Sequence, residues 1–126
     1  MVIVKGQLTA GKGEGRLLGY PTANLKLEPS SLRPEEGVYA CWVTRSGSPG
    51  PVAGILISGV YQEPGQTPRV EVYILDFSGD LYGVSLEVKV VAKLREVVRG
   101  VALTQLKQRI EQDIADTRKI LGLPAI

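Results

Sequence analysis

Apolar and polar positions along the chain fall into two regimes. Up to residue 95 the apolar residues come in short runs, each closed by Gly, Pro, Ser or Asp. "VIVKGQLT" alternates around a glycine, and "VSLEVKVVAKLR" alternates over a longer span. Period-two alternation places every second side chain on one face, which predicts half-buried strands. "GVYACWVT" and "VAGILISGV" are continuous apolar runs, as expected of buried strands, and "RVEVYILDF" is rich in β-branched and aromatic residues. The punctuating segments "RSGSPGP", "QEPGQTP" and "SGDLYG" read as turns or loops. Strands recurring every ~8–12 residues predict a sandwich or a barrel.

Beyond residue 102 the period changes. Leu103, Leu106, Ile110, Ile114, Thr117 and Leu121 recur at helical spacing. Lys107, Gln108, Glu111, Gln112, Arg118 and Lys119 lie largely away from that helical face. Gly122 and Pro124 supply a stop signal. The expected architecture is mainly β, a small antiparallel barrel with one C-terminal helix packed on it. No repeat or linker divides the chain, so residues 1–126 are read as a single domain.

Composition narrows the chemistry. The chain has 126 residues, 44 % hydrophobic and 22 % charged, ordinary for a globular domain. Its net charge is +2 and no block of Lys and Arg stands out, so no nucleic-acid partner is expected. The start "MVIVKGQLT" is too short and too alternating for a signal peptide, and no apolar run approaches the ~20 residues of a membrane span. No membrane partner, a cytoplasmic location and a monomer are the corresponding expectations. The single cysteine, Cys41, lies in an apolar run and reads as a buried small hydrophobe. There is no histidine. That excludes Ser-His-Asp and Cys-His catalysis, argues against a catalytic zinc, and leaves a carboxylate or a lysine as general base and a hard, oxygen-bound ion as any metal.

The most distinctive segment is "GKGEGRLLGYPTANL", residues 11–25. Gly11, Gly13, Gly15 and Gly19 stand within nine residues, beside Lys12 and Arg16. Glycine backbone can approach an anion closely and present N–H groups to it, although such a run between strands is also an ordinary turn. It is not a Walker loop, since the spacing to a Lys-Ser/Thr pair is absent. Pro21 fixes its own φ and biases Tyr20 toward extended geometry. In an extended segment Thr22 and Asn24 point the same way, offering two hard oxygen donors to Mg²⁺ or to phosphate, or alternatively closing a turn. In "RVEVYILDF", Glu71 shares a strand face with Tyr73 and Leu75. A carboxylate there either faces solvent or is held for work as a general base. Asp76 and Asp80 lie near turns and read as capping or solvated groups, Asp113 as a cap or salt-bridge partner at the edge of the helix's packed face. Arg95, at the end of the last strand, reads either as a surface arginine or as a ligand contact at the rim.

"GRLLGYPTANL", followed by "GVYACWV", "VEVYILDF", "DLYG" and "LKQRIEQD", resembles the riboflavin kinase domain over nearly the whole chain. The resemblance implies a six-stranded Greek-key barrel with a C-terminal helix. It implies transfer of the ATP γ-phosphate to the ribityl 5′-hydroxyl of riboflavin, giving FMN and ADP, with Mg²⁺. By position it assigns Thr22 and Asn24 to metal and phosphate. It assigns the loop containing Gly11, Lys12, Gly13, Gly15, Arg16, Gly19 and Pro21 to the nucleotide, Glu71 to the catalytic base, and Arg95 to the flavin side. Three positions depart from the family pattern. Ile57 stands where an Asn is usual, Gly100 where the loop before the helix usually carries an aromatic, and Ala102 where a capping Ser is expected.

Overall fold

A computed structural model describes residues 2–9, 22–48, 50–60, 69–76 and 83–124. Six strands precede one helix: β1 (Val2–Thr9), β2 (Ala23–Leu27), β3 (Gly37–Arg45), β4 (Val52–Val60), β5 (Arg69–Ile74), β6 (Ser85–Arg95) and α1 (Leu103–Ile120). The strands close into an antiparallel barrel in the order β1-β2-β5-β4-β3-β6. Neighbours in sequence pair except across the β2–β3 and β5–β6 connections; the first crosses to the far side and sets β2 beside β5, a Greek-key path. Closure leaves no sheet edge unpaired. The expected mainly-β barrel with one C-terminal helix is the observed fold.

Alternation in the sequence becomes an inside and an outside. Val4 and Leu8 of β1, Leu25 of β2, Val70, Val72 and Ile74 of β5, and Leu86 and Val88 of β6 fill the interior, with Cys41, Val43 and Leu56 from β3 and β4. Gly6 also faces inward; a Cβ there would stand 2.4 Å from the Lys26 carbonyl oxygen, so glycine is what lets β1 and β2 approach this closely. The continuous apolar runs of β3 and β4 have a separate reason. Their outward residues Val38, Ala53 and Ile55, joined by Leu75, make a second apolar cluster against which Ile114, Leu121 and Leu123 of the C-terminal segment pack. These strands are covered on both faces and so cannot alternate.

The helix docks by its C-terminal half. Asp113, Thr117 and Arg118 are its buried residues, whereas Leu103 is 45 % exposed and residues 104, 105 and 107–109 face solvent. This corrects the placing of Arg118 away from the packed face. Its guanidinium donates to both carboxylate oxygens of Asp76, in the turn leaving β5. Asp76 holds φ 55°, a left-handed conformation that Asp tolerates better than most residues. The helix ends as expected, with Gly122 at φ 73° and the Leu123 N–H donating to the Arg118 carbonyl at 2.8 Å, a Schellman termination. It begins without side-chain help, since Ala102 at the N-cap has no oxygen to offer.

Candidate active site

The polar site is built across the β2–β5 seam. Antiparallel pairing sets Ala23 opposite Val72 and Asn24 opposite Glu71. Ala23 and Val72 belong to the interior cluster, so Asn24 and Glu71 are carried on the outer wall. Thr22, immediately before β2, donates its hydroxyl to Glu71 Oε1 at 2.6 Å, across 49 residues of sequence. That length is characteristic of a hydroxyl bonding a carboxylate. Thr22 is thus bonded to Glu71, and Asn24 stands in register beside Glu71.

Glu71 is not on a solvated face. It is 2 % exposed, and its Oε2 is buried with no hydrogen-bond partner among the described residues. On the β4 side its register partner is Ile57, a member of the outer apolar cluster. Arg69 is the cation paired with it among the described residues: its Nη2 stands 3.9 Å from Oε2, an ion contact too long for a hydrogen bond. A carboxylate held so, with one oxygen bonded and one unmet beside an aliphatic neighbour, costs stability that a neutral residue would not.

Arg95 lies elsewhere on the same outer row. Registers run from Glu71 to Ile57, from Ile57 to Val38, and from Val38 to Arg95, which places Arg95 three strands from Glu71. At ~4.8 Å per strand that is roughly 14 Å around the wall. Its guanidinium is engaged: Nε donates to Asp113 Oδ1 at 2.8 Å, Nη2 to Oδ2 at 2.6 Å, and Nη1 to the Glu96 carbonyl. The pair ties the end of β6 to the helix, which is the salt-bridge role expected for Asp113. Burial pushes the Asp113 carboxyl above its ordinary value, and the Arg95 bonds pull it part of the way back. Next to it, Arg99 donates to Glu36 and to the Gly59 carbonyl, pinning the segment between β6 and α1 against the end of β4. The Arg99 bond holds the Glu36 carboxyl below its ordinary value.

Gly11, Lys12, Gly13, Gly15, Arg16, Gly19 and Pro21 lie outside the described residues, as does Asp80. Three cations that sequence reasoning did not single out stand near the seam. Lys26, Arg33 and Arg69 border an open cleft together with Thr9 and Asn24. Two of them had a signal. Lys26 is two residues after Asn24, and Arg69 two before Glu71, so each shares a strand face with a residue already chosen. Arg33 sits in the β2–β3 connection, where no period applies.

The residues present suit a hard cation bound with phosphate. Among the described residues no group of three or more His, Cys, Asp or Glu side chains gathers, so no all-protein metal cage is formed there. Mg²⁺ needs none, since it takes one or two protein oxygens and completes its shell with phosphate and water. A threonine hydroxyl that gives its proton to Glu71 keeps lone pairs for such an ion.

Fold and site together define a six-stranded Greek-key barrel with a buried carboxylate and a hydroxyl joined on its outer wall. The chain matches the flavokinase family, described as riboflavin kinase, over residues 1–121, and it belongs to that family. It is 34 % identical over 121 residues to the bifunctional riboflavin kinase/FMN adenylyltransferase of Escherichia coli K12, covering 95 % of this chain and 38 % of that protein. It is 33 % identical over 128 residues to an RNA-binding riboflavin kinase of Bacillus subtilis, covering 100 % of this chain and 54 % of that one. The crystal structure of riboflavin kinase from Trypanosoma brucei superposes with a TM-score of 0.72 at 28 % identity, over 97 % of this chain and 78 % of that one. The chain therefore spans well under two thirds of the length of the two curated relatives.

Proposed function

We propose that this chain transfers the γ-phosphate of ATP to the ribityl 5′-hydroxyl of riboflavin, giving FMN and ADP. The observation that carries the reading is the 2.6 Å bond between Thr22 and Glu71, with Asn24 in register beside it. In a chain without histidine, Glu71 is the group suited to accept the proton of the incoming hydroxyl. Its side chain is fixed before substrate arrives, because the Thr22 hydroxyl holds Oε1 and leaves Oε2 unmet. An alcohol proton offered to Oε2 meets an acceptor already desolvated and oriented. Thr22 and Asn24 would hold Mg²⁺ and phosphate oxygens, and the ion would supply neutralisation of the phosphate charge. Little covalent work is left to the protein, so positioning and charge account for most of the catalysis.

The test is incubation of the purified chain with riboflavin, ATP and Mg²⁺, followed by chromatography for FMN. FMN formation that falls by about two decades or more in kcat in Glu71→Gln, with riboflavin binding retained, is the expected result. Near-normal turnover in that variant would remove Glu71 from the base role. A second reading draws on Ile57, an aliphatic register partner of Glu71 where relatives of this family usually have an amide. In it the chain binds flavin or nucleotide without turnover. Tight quenching of flavin fluorescence with no FMN would favour that reading over the first.

A further inference from the structure

Among the described residues, Arg69 is the cation that belongs both to the carboxylate and to the cleft. Its side chain is 24 % exposed, its Nη2 stands 3.9 Å from the buried Glu71 Oε2, and it borders the cleft at the mouth of the β2–β5 seam. Its Nε is buried and has no hydrogen-bond partner among the described residues. An arginine has five N–H donors in a planar fork. This one makes a loose ion contact, while an N–H it has already taken out of water goes unmet, a costly arrangement that an incoming oxygen would relieve. The cleft, of about 440 Å³, offers a place for that oxygen to come from. Its charged lining residues are Lys26, Arg33 and Arg69, all cationic, and Asn24 stands among them. A cleft lined by one sign of charge gathers the opposite one.

We propose that Arg69 is a phosphate-binding residue, whose guanidinium takes an oxygen of a polyphosphate lying in the Asn24–Lys26–Arg33 cleft and lets go of Glu71 as it does so. The inference rests on the phosphotransferase reading for its ligand, a nucleoside triphosphate, but its recognition is of the polyphosphate itself. In the free chain Arg69 shields the Glu71 charge. With phosphate bound, its fork turns to a better acceptor, since two parallel N–H···O contacts to a phosphate outweigh one contact at 3.9 Å. Glu71 is then left with the Thr22 bond alone, free to receive the substrate proton. Loading of the nucleotide and readiness of the base become one event.

The experiment measures calorimetric binding of MgATP, of inorganic tripolyphosphate and of riboflavin to the wild-type chain, Arg69→Gln and Arg69→Lys, alongside FMN formation. Retained circular dichroism and melting establish that each variant is folded. The expected result is a roughly ten- to hundred-fold loss of affinity for MgATP and tripolyphosphate in Arg69→Gln, with riboflavin affinity unchanged. Arg69→Lys should recover part of the loss, because it restores the charge without the fork. A merely structural arginine would shift melting and weaken all three ligands together, and that pattern overturns the inference. So does anion binding in Arg69→Gln within two-fold of wild type, or a wild-type chain that binds no polyphosphate. A chain that forms no FMN yet loses tripolyphosphate binding in Arg69→Gln keeps the phosphate site and loses the kinase.

Discussion

Glu71 and Thr22 show what a single residue pair can reveal about purpose. A buried carboxylate with an unmet oxygen is held at the expense of stability, which is tolerated where the group is used. The pair therefore predicts a contrast between two substitutions. Thr22→Val removes the donor and strands a second carboxylate oxygen, which should destabilise the chain by about 1–3 kcal/mol in urea unfolding at neutral pH. Glu71→Gln removes the buried charge while keeping an acceptor for Thr22, and should leave stability unchanged or raise it, even as FMN formation falls. Equal losses of stability in the two variants would mean that the carboxylate is structural. Arg69 and Arg95 make a similar contrast at the same scale. Arg95 is satisfied by three hydrogen bonds and belongs to the scaffold, whereas Arg69 has one loose contact and faces a cleft.

The helix is the element whose stability is most open to adjustment. It begins at Ala102 with no side-chain cap and no acidic residue in its first turn, and its N-terminal half is exposed. Ala102→Ser supplies the missing oxygen and should stabilise by about 1 kcal/mol, raising the melting temperature by about 4 °C. No change would mean that the first turn is frayed in solution. Docking rests on Ile114 and its apolar neighbours and on the ion pairs Arg95–Asp113 and Arg118–Asp76. Asp113→Ala should cost about 2–4 kcal/mol, below the fully buried range because the Arg95 side chain remains 21 % exposed. The double variant Arg95→Met/Asp113→Leu should recover much of that loss, since it removes both charges together; a double variant as weak as the single would show that the pair supplies more than charge balance.

For the molecule as a whole, barrel closure makes the interior a cooperative unit that Cys41 can report. Cys41 is fully buried in β3, and burial pushes its thiol from about 9 up to about 12. Alkylation at pH 8 should therefore be slow in native buffer and fast in denaturant, with a native rate that follows the unfolding equilibrium. Fast labelling of the native chain would mean the barrel opens locally at β3. The linkage has a definite sign. Above pH 9 the unfolded thiol ionises while the folded one keeps its proton, so the unfolded state binds fewer protons and stability falls as pH rises from about 9 toward about 12. In Cys41→Ala that part of the slope should vanish.

Much of this protein was written in local order. Periods of two and of 3.6 residues depend on near neighbours in the chain, so the strands, the helix and its stop at Gly122 could be read directly. The absence of histidine and the "PTAN" and "VEVYILDF" blocks were enough to nominate Thr22, Asn24 and Glu71. The same rules misplaced Arg118, because a helical wheel counts a guanidinium as polar and has no knowledge of its partner Asp76, 42 residues away. They passed over Arg69 for a related reason: a cation beside a carboxylate looks solvated until the carboxylate is known to be buried. Whether Glu71 faced water or was buried stayed undecided at that level. Tertiary structure decided it by pairing β2 with β5 rather than with β3, which brings Thr22 within 2.6 Å of a residue 49 positions away. Strand period is a property of a few consecutive residues, whereas the choice of neighbour depends on the free energy of closing the whole barrel, and no short stretch of sequence contains that.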